Sequence, residues 1–371
     1  MPDRSRRDFL KNSAAGTLFA APGLVRGSQA NSALTLGVIG YGNRGSYVSG
    51  LFAKNENVKV AAICDIYPDK LEAAAAKYAG VAQYRDHKEL LASGVDAVLI
   101  ATPAFLHPEH FEAAVAARKH IFMEKPAGVN AAGCRRVTVA AKKADPTKRI
   151  TVDYQQRYGK DYRKAYELVK SGDLGSIQMI RAAWFGGGSP IKTGHPAGQE
   201  RIRNWFFYRD LSGDILVEQD CHNVDVINWF TGRHPVRVSG YGTQRIRKYG
   251  DVYDSLAATF QFDDGLVFSF SANQFRTPGF TEVGETFICD KGAVNVSRKG
   301  YTIWRGQRPP ETVPTTYDIT EDNVREFVEG CLNGKLENAA FSAVESTLTA
   351  VMGVAAIVKG QPVTWDEINR T

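Results

Sequence analysis

The loop that follows the first apolar segment limits the possible folds more than any other part of the sequence. The run LTLGVI, residues 34–39, leads directly into three glycines with the spacing G-x-G-x-x-G, namely Gly40, Gly42 and Gly45. In such a loop the first glycine makes a tight turn, the second lets a pyrophosphate approach the backbone, and the third packs helix against strand. The helix that follows presents free N–H groups to the phosphates. The spacing therefore predicts a dinucleotide-binding βαβ unit.

Short apolar runs alternate with helical stretches through the rest of the N-terminal half. The runs after the first are residues 58–64, 95–101, 120–123 and 149–154. The intervening stretches 68–78 and 108–118 each begin with proline, which is typical of the first turn of a helix. Apolar strands separated by helices indicate a parallel sheet covered on both faces. The sequence predicts a doubly wound Rossmann domain over residues 33–153.

The end of the second run indicates which dinucleotide binds. Asp65 lies close to the distance from the loop at which a carboxylate meets the adenosine ribose. It would accept a hydrogen bond from the 2′-OH and repel a 2′-phosphate, which favours NAD; a carboxylate near a helix start is the structural alternative. Arg44, next to Asn43 in the loop, could instead pair with a phosphate, so NADP stays possible. Asn43, Arg44 and Asp65 join the glycines as predicted cofactor contacts.

Two further strand ends carry polar residues. The segment ATPAFLH, residues 101–107, contains Thr102 and His107, and MEKPAG, residues 123–128, contains Glu124 and Lys125. Ligands of doubly wound sheets bind at the carboxyl ends of the strands. We therefore predict that all four residues lie near the cofactor. A lysine that leaves a strand is ordinarily solvated, but at this edge it is in reach of a nicotinamide or a substrate hydroxyl.

The second half of the chain has a different pattern. A helical stretch, residues 161–172, precedes strand-like runs at residues 176–185, 236–243, 255–262 and 266–273. Apolar and polar residues alternate along 255–262, so one face is buried and the other accessible, as in an antiparallel sheet. The last two runs are joined by Asp-Asp-Gly, a hairpin connection. The pattern predicts a separate, largely antiparallel domain.

Residues 213–229, GDILVEQDCHNVDVINW, are predicted to form one helix. Glu218, His222 and Asp225 would then share a face at positions i, i+4 and i+7. A carboxylate one turn before a histidine can orient the ring or raise its pKa, as acid–base catalysis requires. A polar stripe at a domain interface is the structural alternative.

A long loop, residues 186–205, precedes this segment, and such loops are usually functional or disordered. Its polar and aromatic residues would give a sugar hydrogen bonds and a flat apolar surface: His195, Arg201, Arg203, Asn204 and Trp205. The alternative is a flexible, glycine-rich excursion.

Four motifs, GYGNRG, CDIYPDK, ATPAFLH and MEKPAG, in this order resemble the Gfo/Idh/MocA oxidoreductase family. The resemblance extends from about residue 33 to 368. It implies an NAD(P)-binding Rossmann domain followed, over residues 154–371, by an α+β domain with an open, mostly antiparallel sheet that often packs against its counterpart in a homo-oligomer. It also implies sugars, cyclitols or their derivatives as substrates, and Lys125 as a catalytic residue.

The family pattern D-x-G-x-H-x-x-D is altered in this chain. Glu218 replaces the first aspartate and Asp220 stands where glycine is typical, whereas His222 and Asp225 match. The histidine role is thus implied by the resemblance, but which acid assists it stays open. The resemblance also places substrate and nicotinamide contacts around Tyr154 and Arg157, for which a core aromatic and a salt bridge are the alternatives.

The N-terminus predicts export. SRRDFLK, residues 5–11, precedes a short apolar run and the small-residue site SQA, which ends at Ala30. These features are typical of a twin-arginine signal over residues 1–30, so we expect a periplasmic or secreted protein that is exported folded. Without the leader, 41 basic and 38 acidic residues remain, a net charge of +3. That charge is too small to indicate nucleic acid or an anionic membrane, and we expect no later membrane-spanning stretch.

The remaining chemistry-bearing residues form no further motif. The five cysteines are far apart without paired spacing, and we predict neither a metal site nor a disulfide framework.

The predicted reaction is hydride transfer, in which His222 or Lys125 takes the substrate's hydroxyl proton. An exported protein would have to recycle a preloaded cofactor in place. Two enzyme classes meet that condition: a sugar oxidoreductase with two half-reactions, and an NAD-dependent glycosidase that oxidises transiently, eliminates and re-reduces. A non-catalytic sugar-binding protein is a third hypothesis.

Overall fold

The N-terminal part of the chain forms a six-stranded parallel sheet in the computed structural model, which describes residues 33–370. The strand order is β3-β2-β1-β4-β5-β6, and every neighbouring pair is parallel. The strands are β1 (Leu34–Ile39), β2 (Val58–Cys64), β3 (Ala82–Tyr84), β4 (Ala97–Ile100), β5 (His120–Met123) and β6 (Ile150–Val152). The helices are α1 (Asn43–Ala53), α2 (Pro68–Lys77), α3 (His87–Ala92), α4 (His107–Ala116) and α5 (Ala131–Ala141). The predicted doubly wound fold is confirmed.

The second sheet has nine strands in the order β14-β13-β12-β11-β7-β10-β9-β8-β15. They are β7 (Ile177–Phe185), β8 (Arg237–Thr243), β9 (Ser255–Gln261), β10 (Val267–Asn273), β11 (Glu282–Cys289), β12 (Gly292–Ser297), β13 (Gly300–Arg305), β14 (Glu311–Pro314) and β15 (Val363–Thr364). Among the described strands of this sheet, β7 and β10 are the only neighbours that pair in parallel. Along β9, alternate residues are buried and exposed, as the sequence pattern predicts. The expected open, mostly antiparallel sheet is thus confirmed.

The second half also contains eight described helices, several of which pack against this sheet. They are α6 (Lys160–Lys170), α7 (Glu200–Arg203), α8 (Arg209–Ser212), α9 (Ile215–Glu218), α10 (Cys221–Thr231), α11 (Ile319–Asn333), α12 (Ala340–Lys359) and α13 (Trp365–Arg370). In α11, Phe327 packs edge-on against Phe52 and Phe122 of the Rossmann domain, with ring centroids 5.8 and 5.4 Å apart. Helix α11, although it follows the second sheet in the chain, therefore packs against the Rossmann domain.

The expectation of one helix over residues 213–229 is wrong. Helix α9 ends at Glu218 and α10 begins at Cys221. The N–H of Asp220 bonds back to the carbonyl of Ile215 at 2.9 Å, five residues earlier, and this closes the first helix. Residues on the two sides of the break do not continue one helical face.

Helix α12 corrects a second expectation. By length and composition, Ala340–Lys359 is apolar enough to cross a membrane, although no such stretch was expected beyond the leader. Of its most apolar window, 67% is buried within the protein. Its apolar sequence is accounted for by burial against α5, α10 and β8 in the core.

Candidate active site

A cleft of about 740 Å³ follows the carboxyl edge of the six-stranded sheet and is lined from both domains. One wall carries the glycine loop and the ends of β2, β4 and β5. The other carries the long loop after β7, the junction between α9 and α10, and the turn between β12 and β13. Parallel strands bring the ends of their separate sequence motifs to one edge, so this is the position where ligands of such sheets bind.

The glycine loop has the shape that a bound diphosphate needs. Gly40 has φ of +90°, and a side chain there would begin 2.7 Å from the Ala101 carbonyl oxygen. A side chain at Gly45 would begin 2.0 Å from the Gly40 carbonyl oxygen. Gly42 differs, because within residues 33–370 no atom other than those of its chain neighbours lies within 4 Å of the corresponding point. Gly40 and Gly45 therefore permit the turn, and Gly42 and Asn43, at the start of α1, leave open space for phosphate oxygens.

Asp65 is held at the ribose end of the cleft by backbone hydrogen bonds. Its Oδ2 accepts from the Tyr41 N–H at 2.8 Å, and its Oδ1 accepts from the Tyr67 N–H at 3.0 Å. Burial raises the pKa of Asp65 above its usual value, while the two N–H groups oppose that rise. The carboxylate lines the cleft and is fixed for contact with a ribose hydroxyl.

Arg44 does not reach toward the ribose end. Its Nε donates to Glu124 Oε1 at 2.7 Å, and its Nη2 donates to the Asp153 carboxylate. Asp153 also accepts from the side chain of Asn323 at 2.6 Å, which ties these groups to α11. Arg44 and Glu124 therefore join the glycine loop to the end of β5, and the guanidinium is engaged away from a 2′-phosphate.

His107 and Thr102 hold neighbouring strand ends together. The His107 ring nitrogens lie 3.0 Å from the Thr102 carbonyl oxygen and 2.7 Å from the Pro126 carbonyl oxygen. Burial lowers the pKa of His107 to about 4. The Thr102 hydroxyl pairs with the His110 ring at 3.0 Å. Both predicted residues line the cleft, and His107 also fixes the backbone beside Lys125.

Lys125 meets Glu218 across the domain boundary. Its Nζ donates to Glu218 Oε1 at 3.1 Å and also to the Glu218 carbonyl oxygen. Burial disfavours the ammonium, but the carboxylate of Glu218, with Cys221 and Glu124, raises the pKa of Lys125 above its usual value. Lys125 is thus a positively charged group inside the cleft at neutral pH.

His222 lies between two aromatic rings. Trp184 stacks on it with ring centroids 6.1 Å apart, and Tyr154 meets it edge-on at 6.0 Å. Its Nδ1 is buried without a hydrogen-bond partner among the described residues. Burial, helped by the charges of Arg298 and Lys125, holds the pKa of His222 well below its usual value. The imidazole is therefore neutral and can accept a proton.

The predicted grouping of Glu218, His222 and Asp225 on one face is wrong. Glu218 bonds Lys125, whereas Asp225 receives two hydrogen bonds of 2.8 Å from Arg157 and one of 2.7 Å from Ser346. Neither Arg157 nor Asp225 lines the cleft. Their pairing is the salt bridge that the sequence left open as the alternative to a substrate contact.

The four other predicted substrate residues occupy different environments. Tyr154 is buried, and its hydroxyl lies 3.1 Å from Thr347 Oγ1, as a core aromatic would. Trp205 lines the cleft, while His195 does not. Asn204 lines it too, but its side-chain amide already makes two hydrogen bonds. Its Oδ1 accepts from the Lys192 N–H at 2.8 Å, and its Nδ2 donates to the Lys192 carbonyl oxygen at 2.9 Å.

The sequence missed two residues that line the cleft near His222. Trp184 is near the end of β7, and Arg298 is in the turn between β12 and β13 with its guanidinium 5.5 Å from the Trp184 ring centre. A single arginine in a hairpin turn belongs to no recognisable sequence motif. Its position at the cleft follows from the sheet topology, which the sequence pattern does not give.

Asp220, the carboxylate that departs from the family pattern, is buried outside the cleft lining. Neither of its carboxyl oxygens has a hydrogen-bond partner within residues 33–370. Burial, with repulsion from Glu218, raises the pKa of Asp220 well above its usual value. The same part of the chain contains no group of three His, Cys, Asp or Glu residues that could hold a metal ion, and its five cysteines are free.

A two-domain chain with a dinucleotide loop, a charged lysine and a neutral histidine in one cleft has the organisation of a nicotinamide-dependent oxidoreductase. Family models match both domains: an oxidoreductase family with an NAD-binding Rossmann fold over residues 34–154, and a GFO/IDH/MocA C-terminal domain over residues 162–295. The chain belongs to the Gfo/Idh/MocA family, and its N-terminal domain is an NAD-binding Rossmann domain.

Relatives of known activity include dehydrogenases of cyclitols. The chain is 26% identical over 259 residues to a myo-inositol 2-dehydrogenase of Thermotoga maritima, covering 68% of this chain and 72% of that one. It is 35% identical over 200 residues to an inositol 2-dehydrogenase of Klebsiella pneumoniae, covering 53% and 54%. The match thus spans about half the length of the Klebsiella enzyme.

Solved structures share the fold over nearly the whole described chain. Scyllo-inositol dehydrogenase from Lactobacillus casei with NAD(H) and scyllo-inositol has a TM-score of 0.72 at 24% identity, covering 90% of this chain and 99% of that one. Levoglucosan dehydrogenase in complex with NADH has a TM-score of 0.77 at 19% identity, covering 89% and 98%.

Proposed function

We propose that the protein transfers hydride between bound NAD and a carbon-bound hydroxyl group of a sugar, cyclitol or glycoside. The observation that carries the proposal is the Lys125–Glu218 pair, which holds an ammonium group in the same cleft as the glycine loop and His222. The named activities of the relatives, on inositols and levoglucosan, support a polyhydroxylated ring as the substrate class.

NAD supplies the hydride acceptor or donor when it is bound. Lys125 orients the reacting oxygen and stabilises negative charge on it, because its ammonium is a fixed donor in a partly water-excluded site. His222, which is neutral, accepts the hydroxyl proton. Since its Nδ1 is shut off from the cleft, the ring acts through Nε2. Glu218 keeps Lys125 charged and in position.

Trp184 and Trp205 give the cleft two aromatic surfaces for the apolar face of a sugar ring, and Arg298 adds a charged donor. These residues replace the predicted contacts Arg157 and Asp225, which are engaged with each other. They support binding of a polar ring against a flat apolar surface.

The twin-arginine signal lies outside the described residues. On the basis of the sequence, we propose that the folded, NAD-loaded protein is exported and is periplasmic or secreted. A tightly held cofactor then has to be recycled in the same cleft by a second substrate. The glycosidase alternative needs a carboxylate base for its elimination step, and the sequence offers Glu218 and Asp220. It has less support, because Asp220 does not line the cleft and Glu218, which does, is paired with Lys125.

We also propose a homo-oligomer that forms through the outer face of the nine-stranded sheet. Exposed residues follow this face along β8 and β9, and Tyr241 is 82% exposed. Tyrosine is enriched at protein–protein interfaces, so its exposure on this face supports packing of the face against another sheet.

The first experiment is to express the full chain with its leader, isolate the exported form, denature it and identify the released nucleotide by mass. About one NAD(H) per chain is the expected result. A protein that is empty and binds no nicotinamide nucleotide when offered one would overturn the redox function. Product analysis then separates an oxidised sugar with a reduced partner from a cleaved glycoside.

A further inference from the structure

The long loop after β7 closes one side of the cleft. Nine residues from Ser189 to Phe207 line it, together with Asp65, Lys125 and His222. The loop belongs to the second domain by sequence, and the proposed reaction assigns no role to most of it.

One side chain of this loop is attached to the opposite wall. Arg203, at the end of α7, donates from Nη2 and Nη1 to the two carboxylate oxygens of Asp69 at 2.6 and 3.1 Å. Its guanidinium lies 3.9 Å from the centre of the Tyr67 ring. Its Nε donates to Gln199 Oε1 at 2.8 Å, so all three guanidinium nitrogens donate a hydrogen bond. The Arg203 side chain is only 15% exposed.

This contact is at the adenosine end of the cleft. Tyr67 and Asp69 flank the start of α2, and the Tyr67 N–H donates to Asp65, the carboxylate placed for the ribose. A dinucleotide that leaves from this end has to pass between α2 and the loop that Arg203 holds against it.

The loop is braced on its own side, so it can act as one piece. Asn204 and the Lys192 backbone are joined by two hydrogen bonds, and Glu200 accepts from the Tyr249 hydroxyl at 2.9 Å. Neighbouring Arg201 pairs with Asp210 of its own domain at 2.5 Å and does not line the cleft. Removal of the Arg203–Asp69 contact therefore frees the loop from α2, while its hydrogen bonds within the second domain remain.

We propose that Arg203, Asp69 and Tyr67 form a latch that holds the loop over the adenosine end and sets the residence time of bound NAD. The inference rests on the proposed function and adds to it the residues that retain the cofactor. Retention of this kind is what an exported enzyme with an internally recycled cofactor requires. A bidentate arginine–carboxylate pair that also stacks on an aromatic ring has the directional strength for such a latch.

The test loads the purified full-length protein with NADH, mixes it with excess NAD⁺ and follows the loss of bound-NADH fluorescence. Arg203→Ala and Asp69→Asn are expected to speed NADH dissociation by about three- to fivefold, because Arg203 is 15% exposed but its partner Asp69 is 52% exposed. The matched control, Arg201→Ala, removes an arginine of the same short helix and leaves the rate unchanged. The exchanged pair Arg203→Asp with Asp69→Arg recovers part of the retention.

The outcomes separate the latch from the proposed function. Wild-type protein that binds no NADH contradicts the redox function itself. The latch alone is overturned by a different result. In that case wild type binds NADH, all variants melt like wild type, and Arg203→Ala and Arg201→Ala both release NADH at the wild-type rate. A latch of this type also predicts that salt speeds release from wild type more than from Arg203→Ala, because screening weakens a partly exposed ion pair.

Discussion

The ammonium of Lys125 and the carboxylate of Glu218 lie 3.1 Å apart, although 93 residues separate them in the sequence. The lysine leaves the Rossmann sheet after β5, and the glutamate ends α9 of the second domain. The ammonium group is thus held in the cleft by a contact between the two domains rather than by either domain alone.

Replacing Glu218 with glutamine is expected to move the alkaline limb of the kcat/KM pH profile to lower pH. Burial lowers the pKa of Lys125, and the negative charge of Glu218 opposes that effect. Glutamine removes the charge, so the pKa of Lys125 falls and its ammonium loses a proton at lower pH. Glutamine still accepts the hydrogen bond. The control Glu282→Gln, which alters an ion pair with Arg181 outside the cleft, should leave the limb in place. An unmoved limb in Glu218→Gln would contradict the role of this pair.

Lys125→Met is expected to lower turnover by about 10²–10⁴-fold, the usual contribution of a positioned catalytic group. NADH binding should persist, since the glycine loop and Asp65 are untouched. Single-turnover rates and NADH fluorescence titration measure the two effects separately. Turnover close to the wild-type rate would remove Lys125 from the mechanism.

Arg298→Ala is expected to shift the acid limb of the same profile to higher pH. His222 has to be neutral to take a proton, so activity falls as pH drops through its pKa, which burial first and then Arg298 hold low. Loss of the guanidinium lets that pKa rise, and His222 is protonated sooner. The exposed Arg308, outside the cleft, provides the control variant Arg308→Ala. The idea fails if both variants keep the wild-type acid limb.

The glycines of the loop should separate into two functional types. Gly45→Ala puts a methyl group 2.0 Å from the Gly40 carbonyl, so it should lower both the thermal midpoint and NAD affinity. Gly42→Ala meets no protein atom within 4 Å, so it should leave the midpoint unchanged and weaken NAD binding alone, by about tenfold or more. Calorimetric titration and thermal unfolding check the pair. Unchanged affinity in Gly42→Ala would contradict diphosphate binding at this loop.

Much of the fold could be predicted from the sequence, because the strands and the glycine loop are recognised from residues that are neighbours in the chain. Apolar runs at strand length, the glycine spacing and alternation along β9 depend on residues close in sequence. The β3 strand, with three residues, lacks enough pattern, and the end of α9 depends on the way the buried Asp220 turns back to Ile215. Helical spacing alone could not reveal that break.

The site was predictable where residues follow strand ends, and less so where they depend on packing. Gly42, Asp65 and Lys125 line the cleft because parallel topology fixes the edge. Arg157 and Asp225 fitted a family position, but their mutual ion pair could be recognised only with both side chains in place. The sequence indicates Glu218 as a candidate acid for His222, whereas the structure pairs it with Lys125, because a contact between domains leaves no local pattern in the sequence.

Asp65→Asn is expected to weaken NAD binding and to narrow the preference for NAD over NADP. The charge that repels a 2′-phosphate is lost, while the amide keeps some of the backbone hydrogen bonds. Arg44→Ala should not change that preference, because its guanidinium is bound to Glu124 and Asp153. Titration of each variant with both reduced dinucleotides is the measurement. A loss of NADP binding in Arg44→Ala would restore Arg44 as a phosphate contact.

Arg157→Met tests whether the Arg157–Asp225 pair is structural or contacts substrate. The Asp225 side chain is fully buried, and removal of its partner leaves an uncompensated charge, so the free energy of unfolding should fall by about 3–5 kcal/mol. KM should stay within about twofold of wild type, because neither residue lines the cleft. Arg157→Met combined with Asp225→Leu should recover stability, since an apolar pair of similar volume can replace a buried ion pair. Urea unfolding measures the stability of each variant, and steady-state kinetics measures KM. A large rise in KM without loss of stability would show that Arg157 and Asp225 contact the substrate.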